Sequence, residues 1–101
     1  MNRCFISLKA SQDLNDISDY FVSRNIETGE RLLQDFDQKC VRLVQFPQMG
    51  KSYAVIRPLL RGISLDGYII FYEAIDDEIT VLRVVNGRQN LDILFDEDRE
   101  N

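Results

Sequence analysis

The stretch YIIFYEAIDDEITVLRVVNGR, residues 68–88, decides the fold of this chain. Residues 68–75 and 79–85 are apolar at nearly every position and rich in β-branched and aromatic side chains, which is typical of strands. The acidic triplet 76–78 between them is short enough for a tight hairpin turn. Because both runs are apolar on both faces, we predict two antiparallel strands in the interior of a sheet that is covered on each side.

Two arginines in this stretch need an explanation. Arg83 lies inside the apolar run, and Arg88 follows an Asn-Gly turn. A fully buried arginine is rare unless it is paired. We predict that Arg83 is structural and shares a strand face with Val81 and Val85, so that its stem covers the sheet while its head reaches a carboxylate. Arg88 should be exposed after the turn, where a contact with a partner is favoured.

The residues before this stretch predict a strand and two helices. Alternating apolar residues indicate a strand over residues 3–8, and helical spacing indicates an amphipathic helix over residues 10–24. Asn25 suits the N-cap of a second helix from Ile26 to about Phe46. Gly29 costs that helix about 1 kcal/mol relative to alanine, and we expect close packing of the two helices as an antiparallel hairpin to explain it. The acidic residues of the first helix fall on its polar side: Asp13, Asp16 and Asp19.

The segment between the helices and the central strands predicts shorter elements. Pro47 ends the second helix, and short strands are indicated at residues 53–56 and 59–63. The first strand must then lie at a sheet edge or beside a late strand, and residues 91–95 are compatible with one more helical turn. The predicted fold class is α+β, with an N-terminal strand and a two-helix antiparallel hairpin packed on a mainly antiparallel sheet of four to five strands.

Length and charge limit the range of functions. The 101 residues suit one domain, which we place at residues 1–95, followed by an acidic tail at residues 96–101. Residues 1–91 carry 11 basic and 12 acidic side chains, a net charge of −1, which is not the footprint of a strong nucleic-acid binder. The sequence shows neither a signal peptide nor a membrane-spanning run, so we expect a cytoplasmic protein without membrane contact.

The supply of catalytic and metal-binding side chains is small. The chain contains no histidine, which removes the commonest general base and the commonest nitrogen ligand. Its two cysteines, Cys4 and Cys40, are too few and too scattered for a zinc site, and we interpret them as buried free thiols. We therefore expect no cofactor and no metal.

Several motifs in order carry a resemblance to a known family. They are Ala10-x-x-x-Leu14-x-x-Ile17-x-x-Tyr20, Leu43-x-x-Phe46-Pro47-x-x-Gly50, Arg61 at the end of a short strand, Tyr68-Ile69-Ile70-Phe71-Tyr72, and Ile79-x-Val81-Leu82-Arg83-Val84-Val85-x-Gly87-Arg88. In this order and spacing the chain resembles the RelE/ParE superfamily of bacterial toxins, and within it the ParE-like toxins of plasmid stabilisation systems. It departs from the ParE-like pattern at Asn86, where relatives commonly carry a histidine, and at Gln89-Asn90, where they carry Arg-Asp.

The resemblance implies a toxin of a type II toxin–antitoxin module, with two possible targets. ParE-like members bind and inhibit DNA gyrase without being hydrolases, whereas RelE-like members are ribosome-dependent mRNA endoribonucleases. In either case the resemblance implies a cognate antitoxin, ParD-like or similar, that wraps the toxin with an amphipathic segment in a hetero-oligomer. A degenerate, non-toxic member of the family is the third alternative.

The residues at the implied site favour the gyrase inhibitor over the enzyme. Under the ribonuclease alternative, Arg61 and Arg88 would clamp phosphate, but the lysine pair expected before Arg61 is missing. The C-terminal tyrosine of such enzymes falls here on Leu94 or Phe95, and neither can transfer a proton. We therefore expect a binding protein rather than an enzyme, with these partner-binding residues: Arg61, Arg83, Arg88, Tyr68 and Tyr72.

Each of these residues also has a structural interpretation. Arg61 could pair with Glu73 or with a C-terminal acid on the sheet. Tyr68 and Tyr72 share a strand face with Ile70, where a place in the core or in the wall of a groove is the default.

Overall fold

A five-stranded mixed sheet carries a helical hairpin on one face in the computed structural model, which describes residues 3–88, Leu91 and Phe95. The elements in chain order are β1 (Arg3–Ile6), α1 (Leu8–Val22), α2 (Ile26–Gln45), β2 (Lys51–Ser52), β3 (Arg61–Leu65), β4 (Tyr68–Ile75) and β5 (Glu78–Asn86). The strands are ordered β1-β5-β4-β3-β2, with β1 parallel to β5 and every other pair antiparallel. This confirms the predicted α+β class, and β1 lies both at an edge and beside a late strand.

The central hairpin forms as predicted. Asp76 and Asp77 have φ angles of 51° and 66°. Positive φ at both central residues is the requirement of a type I′ turn, whose twist matches that of the strands it joins. Aspartate tolerates this left-handed conformation better than most residues other than glycine.

A β-bulge changes the expected alternation along β5. Tyr72 pairs with Val81 whereas Phe71 pairs with Arg83, so Leu82 is an extra residue on β5. Val81 and Val85 consequently pack in core clusters on opposite faces of the sheet. The prediction that Arg83 shares one face with both valines was wrong, because strict two-residue periodicity does not continue through a bulge.

Two caps set the helix boundaries. Ser7 caps α1, since its Oγ accepts a hydrogen bond from Ala10 N at 3.1 Å and donates one to Leu82 O at 2.9 Å. The strand predicted over residues 3–8 therefore ends at Ile6, and α1 starts two residues earlier than predicted. The predicted N-cap of α2 is confirmed, with Asn25 Oδ1 accepting from Thr28 N at 3.2 Å.

Gly29 allows the two helices to approach closely. A Cβ at this position would lie 2.7 Å from the Cβ of Phe21 on α1. Real Cβ atoms essentially never approach other atoms so closely. The reason predicted for a glycine inside α2 is therefore confirmed.

The predicted strand at residues 53–56 was wrong. These residues form turns instead, with Ile56 N donating to Tyr53 O at 2.9 Å and Leu60 N donating to Arg57 O at 3.0 Å. The apolar side chains of Tyr53, Ile56 and Leu60 that suggested a strand fill a core cluster on the sheet face opposite the helices. Of the residues between α2 and β3, only Lys51–Ser52 forms a strand, which pairs with β3. Strand β3 begins at Arg61 rather than at residue 59.

Core clusters cover both faces of β4 and β5, as predicted. The helix-side core joins the hairpin to the sheet through Ile17, Phe36, Ile70 and other residues. The opposite core contains Leu60, Phe71, Val85 and Phe95. Leu91 and Phe95 are helical, in agreement with the predicted turn over 91–95, while residues 89–90, 92–94 and the acidic tail 96–101 lie outside the described residues. Within the described part of the chain, no helix is long and apolar enough to span a membrane.

Candidate functional site

The predicted site residues lie in two separate places, near the two opposite ends of β4. Arg61 and Tyr72 are paired at one end, next to the turn that follows α2. Tyr68 lies at the other end, close to Arg83 in a groove beside α1. The two tyrosines are four residue steps apart along the extended strand, which corresponds to about 13 Å. The structure therefore does not gather the predicted residues into one site.

The first place is a loop anchor, formed by Tyr72 and Arg61 against residues 47–50. Tyr72 is fully buried, its hydroxyl donates to Pro47 O at 2.8 Å, and it accepts from Gly50 N at 2.9 Å. The pKa of Tyr72 is raised above its ordinary value, because burial disfavours the charged phenolate. The hydrogen bond from Gly50 N and the charge of Arg61 oppose this increase but do not cancel it. The Tyr72 side chain thus fixes the Phe-Pro-x-x-Gly turn and has no surface left for a partner.

Gly50 is required by this anchor. A Cβ at residue 50 would lie 2.6 Å from the hydroxyl oxygen of Tyr72 and 3.0 Å from Gly62 O. Both neighbours are held in place, one by its hydrogen bonds and the other by strand pairing. The glycine of the Phe-Pro-x-x-Gly motif is therefore explained by close approach.

Arg61 is committed to the same turn. Its Nη1 donates to Gly50 O at 2.7 Å and to Gln48 O at 3.4 Å. The predicted ion pair with Glu73 was wrong, because Glu73 pairs with Arg57 instead, with an Nε–Oε2 distance of 3.3 Å. The alternative pairing of Arg61 with a C-terminal acid concerns residues outside the described ones. Arg61 is half-buried, so a partner could reach only part of its side chain.

The second place is an open groove of about 640 Å³ between α1 and the end of β5, which we call the α1 groove. Its walls include Asp13, Tyr20, Phe21, Tyr68, Arg83 and Asn86. Tyr68 is half-buried and packs against the helix-side core, which confirms its interpretation as core or groove wall. Tyr20 lies on the α1 side of the groove and is half exposed.

A two-point ion pair forms the floor of the α1 groove. Arg83 Nε lies 2.8 Å from Asp13 Oδ2, and Arg83 Nη2 donates to Asp13 Oδ1 at 3.0 Å. Asp13 Oδ2 also accepts from Val84 N at 2.9 Å. Strand β1 pairs with β5 only as far as Val81, so the carboxylate takes the place of a strand partner beyond that point. The predicted carboxylate partner of Arg83 is confirmed.

Asp13 is the residue of the groove that sequence reasoning missed. Its helical position places it with Asp16 and Asp19 on the polar side of α1, yet its side chain is only 13% exposed. The available signal was Arg83 itself, because an arginine inside an apolar strand requires a carboxylate from a neighbouring element.

The turn after β5 exposes Arg88. Asn86 Oδ1 accepts from Arg88 N at 2.9 Å, so the amide that replaces the family's histidine fixes the backbone of this turn. Arg88 is exposed, as predicted. Among the described residues, its guanidinium has no hydrogen-bond or ion-pair partner. Its role in partner binding stays a prediction.

Phe95 stands at one of the two positions where the resemblance implies the C-terminal tyrosine of a ribonuclease. The ring is buried and packs edge-on against Phe71, with 5.2 Å between the ring centroids. The other candidate for that position, Leu94, lies outside the described residues. Among the described residues, no group of three or more histidine, cysteine or acidic side chains is arranged to hold a metal ion.

Comparisons with known proteins give a matching family model, a relative by sequence and two solved structures of the same fold. The family model for the ParE toxin of the type II toxin–antitoxin system parDE matches residues 5–91. Toxin ParE3 of Caulobacter vibrioides is 26% identical over 92 residues, covering 90% of this chain and 92% of the relative. Two solved structures share the fold. The chromosomal ParDE system from P. aeruginosa has a TM-score of 0.71 at 24% identity, over 85% of this chain and 96% of that one. The isolated E. coli RelE toxin has a TM-score of 0.60 at 16% identity, over the full length of both chains. The chain belongs to the ParE toxin family of type II toxin–antitoxin systems.

Proposed function

We propose that this toxin acts by binding and inhibiting DNA gyrase in the cytoplasm, and that a cognate ParD-like antitoxin neutralises it. The observation that carries the proposal is that, apart from Arg88, the side chains that the ribonuclease alternative would use are absent or already engaged within the fold. Cleavage of that kind needs a group that removes a proton from the 2′-hydroxyl and a group that protonates the leaving oxygen. Tyr72, the tyrosine paired with Arg61, is buried with its hydroxyl bonded to two backbone groups.

The arginines of the predicted site also favour a binding protein over a ribonuclease. Stabilising a phosphate in the transition state needs guanidinium groups aimed at it. Arg61 is turned toward two backbone carbonyls and Arg83 toward Asp13, so Arg88 alone of the predicted arginines presents an exposed guanidinium. A single exposed arginine among the predicted site residues, on a chain with a net charge of −5, suits recognition of a protein surface better than recognition of a phosphate-rich one.

We place the gyrase contact at the turn after β5 and the adjoining α1 groove. Arg88 supplies an exposed charge beside this groove, and Tyr68 supplies part of its wall. Arginine and tyrosine are enriched among the residues that dominate protein interfaces. Arg83 supports this contact indirectly, because its partner Asp13 also accepts from Val84 N on β5. Arg61 and Tyr72 hold the turn at residues 47–50, at the other end of β4 from this contact.

We place the antitoxin on the helical hairpin. Near the turn between the helices, Tyr20, Val22 and Ile26 are each at least half exposed, although they are large and apolar. Exposed acidic residues surround them: Asp16, Asp19, Glu27 and Glu30. Apolar residues with an acidic border fit an amphipathic segment that carries basic side chains on its flanks. The toxin and antitoxin would then form a hetero-oligomer.

Induction of the chain without antitoxin in a bacterial host tests the proposal. We expect plasmid supercoiling and DNA synthesis to fall first, while pulse-labelled protein synthesis continues. Arg88→Glu should weaken both effects, and Lys51→Glu, an exposed charge change at the far edge of the sheet, serves as its control. Early loss of protein synthesis with mRNA cut inside ribosomes would replace the proposal by the ribonuclease alternative. Unimpaired growth at high expression would replace it by the non-toxic alternative.

A further inference from the structure

The two cysteines of the chain form a thiol pair that bridges two elements. Cys4 lies on the edge strand β1 and Cys40 on α2, and both side chains pack against the helix-side core. Each of the two thiols is the largest influence on the pKa of the other. Both residues are half-buried, and both are free in this structure.

We propose that Cys4 and Cys40 are an oxidation site, at which a peroxide converts the two thiols into a reversible disulfide that fastens β1 to α2. Both thiols pack against the same core cluster from two elements in contact, which favours a disulfide because this bond tolerates only a narrow range of distances between the backbones it joins. Because β1 packs directly on α2, the disulfide would reinforce an existing contact between elements. The proposal is independent of the cellular target of the toxin.

The interaction between the two thiols assigns a different role to each sulfur. It lowers the pKa of Cys4, whereas the same interaction, burial and the negative charges of Cys4 and Asp37 raise the pKa of Cys40. The thiolate is the reactive form of cysteine, so Cys4 is the attacking sulfur and Cys40 resolves the intermediate.

The reaction proceeds in two balanced steps. The Cys4 thiolate attacks one oxygen of hydrogen peroxide, the O–O bond breaks, and a sulfenic acid forms as hydroxide leaves. The Cys40 sulfur then attacks the sulfur of Cys4, the S–O bond breaks, and the hydroxide released takes up the proton of Cys40 as water. In total, two thiols and one hydrogen peroxide give one disulfide and two molecules of water.

The disulfide would hold the edge of the sheet to the helical hairpin. The closed loop, from Cys4 to Cys40, contains all of α1 and most of α2. Cross-linking such a loop restricts the unfolded chain more than the folded one. We expect the oxidised protein to unfold at a midpoint temperature at least about 5 °C higher than that of the reduced protein.

The test is oxidation of the full chain with hydrogen peroxide, followed by counting of free thiols and peptide mass mapping. We expect both thiols to disappear together, faster than in the urea-unfolded chain, with Cys4 and Cys40 peptides linked within one molecule and released by dithiothreitol. Cys40→Ser should instead accumulate a sulfenic acid on Cys4 that dimedone traps. The matched control is Cys40→Ser/Val41→Cys, which moves the second thiol to an exposed neighbouring position; it should form no intramolecular disulfide.

Three results would overturn the proposal. They are loss of thiols no faster than in the unfolded chain, disulfides that join two chains at a rate that rises with protein concentration, and linkage in the control variant at the wild-type rate. Circular dichroism verifies that each variant is folded. The comparison of the folded with the unfolded wild-type chain remains decisive even if a variant fails to fold.

Discussion

At the scale of single residues, the Asp13–Arg83 pair shows how one side chain completes a strand edge. The carboxylate serves a guanidinium and a backbone N–H of β5, at a position where no further strand covers the sheet. Sequence reasoning predicted that Arg83 would be paired because of its apolar neighbours. It could not identify Asp13, since the helical pattern alone does not show where α1 crosses β5.

Removing the charge of Asp13 should destabilise the fold. Asp13→Asn loses the two-point ion pair between a carboxylate and a guanidinium that are both mostly buried, which should cost about 2–4 kcal/mol in free energy of unfolding. Urea denaturation measures the effect, and Asp16→Asn, on the exposed part of the same helix, should change it by less than about 0.5 kcal/mol. A double-mutant cycle with Arg83→Leu tests whether the two side chains interact. If the loss of stability in the double variant equalled the sum of the losses in the two single variants, coupling between Asp13 and Arg83 would be excluded.

The hydroxyl of Tyr72 should make stability depend on alkaline pH. Tyr72→Phe leaves the buried Gly50 N–H without its acceptor, which should lower the free energy of unfolding by about 1–3 kcal/mol at neutral pH. Because the folded-state pKa of Tyr72 is raised above the ordinary value of about 10, the stabilising contribution of its neutral hydroxyl is complete below pH 10. That contribution is lost as the pH rises through the folded-state pKa.

The measurement is urea denaturation of wild type and Tyr72→Phe between pH 7 and pH 11. We expect the difference between the two proteins to narrow above pH 10. Tyr20→Phe, which changes a half-exposed hydroxyl, is the control and should follow the wild type. A difference between wild type and Tyr72→Phe that stays constant up to pH 11 would contradict the role of this hydroxyl.

At the scale of elements, the fold was predictable where local patterns and packing agree. The helical hairpin with its Asn25 cap and the β4–β5 hairpin follow from helical spacing, capping chemistry and an acidic turn. The bulge at Leu82 and the turns at residues 53–60 were missed, because their apolar residues also fit ordinary strands. In both cases tertiary packing decides which face each side chain takes.

The contact between the helices should depend on Gly29. Gly29→Ala gains about 1 kcal/mol of helix propensity but drives a methyl group against the Phe21 Cβ, so a net loss of about 1–2 kcal/mol in free energy of unfolding is expected. Thermal and urea denaturation measure the loss. Gln34→Ala, an exposed position on the same helix, should be neutral or slightly stabilising. A Gly29→Ala protein more stable than wild type would show that the two helices are not in tight contact.

At the scale of the whole molecule, the family and the fold could be predicted from the order of the motifs, but the candidate site could be predicted only in part. The sequence identified Arg61, Arg83, Arg88, Tyr68 and Tyr72 as one group. The structure divides them between the loop anchor and the α1 groove, because Tyr68 and Tyr72 lie at opposite ends of one strand. Spacing along the chain could not show that Arg61 faces backbone carbonyls, since this depends on how residues 47–50 fold back.

The central claim is that this toxin works by binding, and a supercoiling assay with purified DNA gyrase tests it most directly. A tightly binding inhibitor must be present in an amount comparable to that of the enzyme, because each bound toxin inactivates one enzyme molecule. With gyrase fixed and toxin titrated, we predict loss of supercoiled product, a midpoint that rises with the gyrase concentration, and full activity when the toxin is first mixed with its antitoxin. Unchanged supercoiling at a large excess of folded toxin, together with repeated cleavage of ribosome-bound mRNA by the same preparation, would contradict the claim.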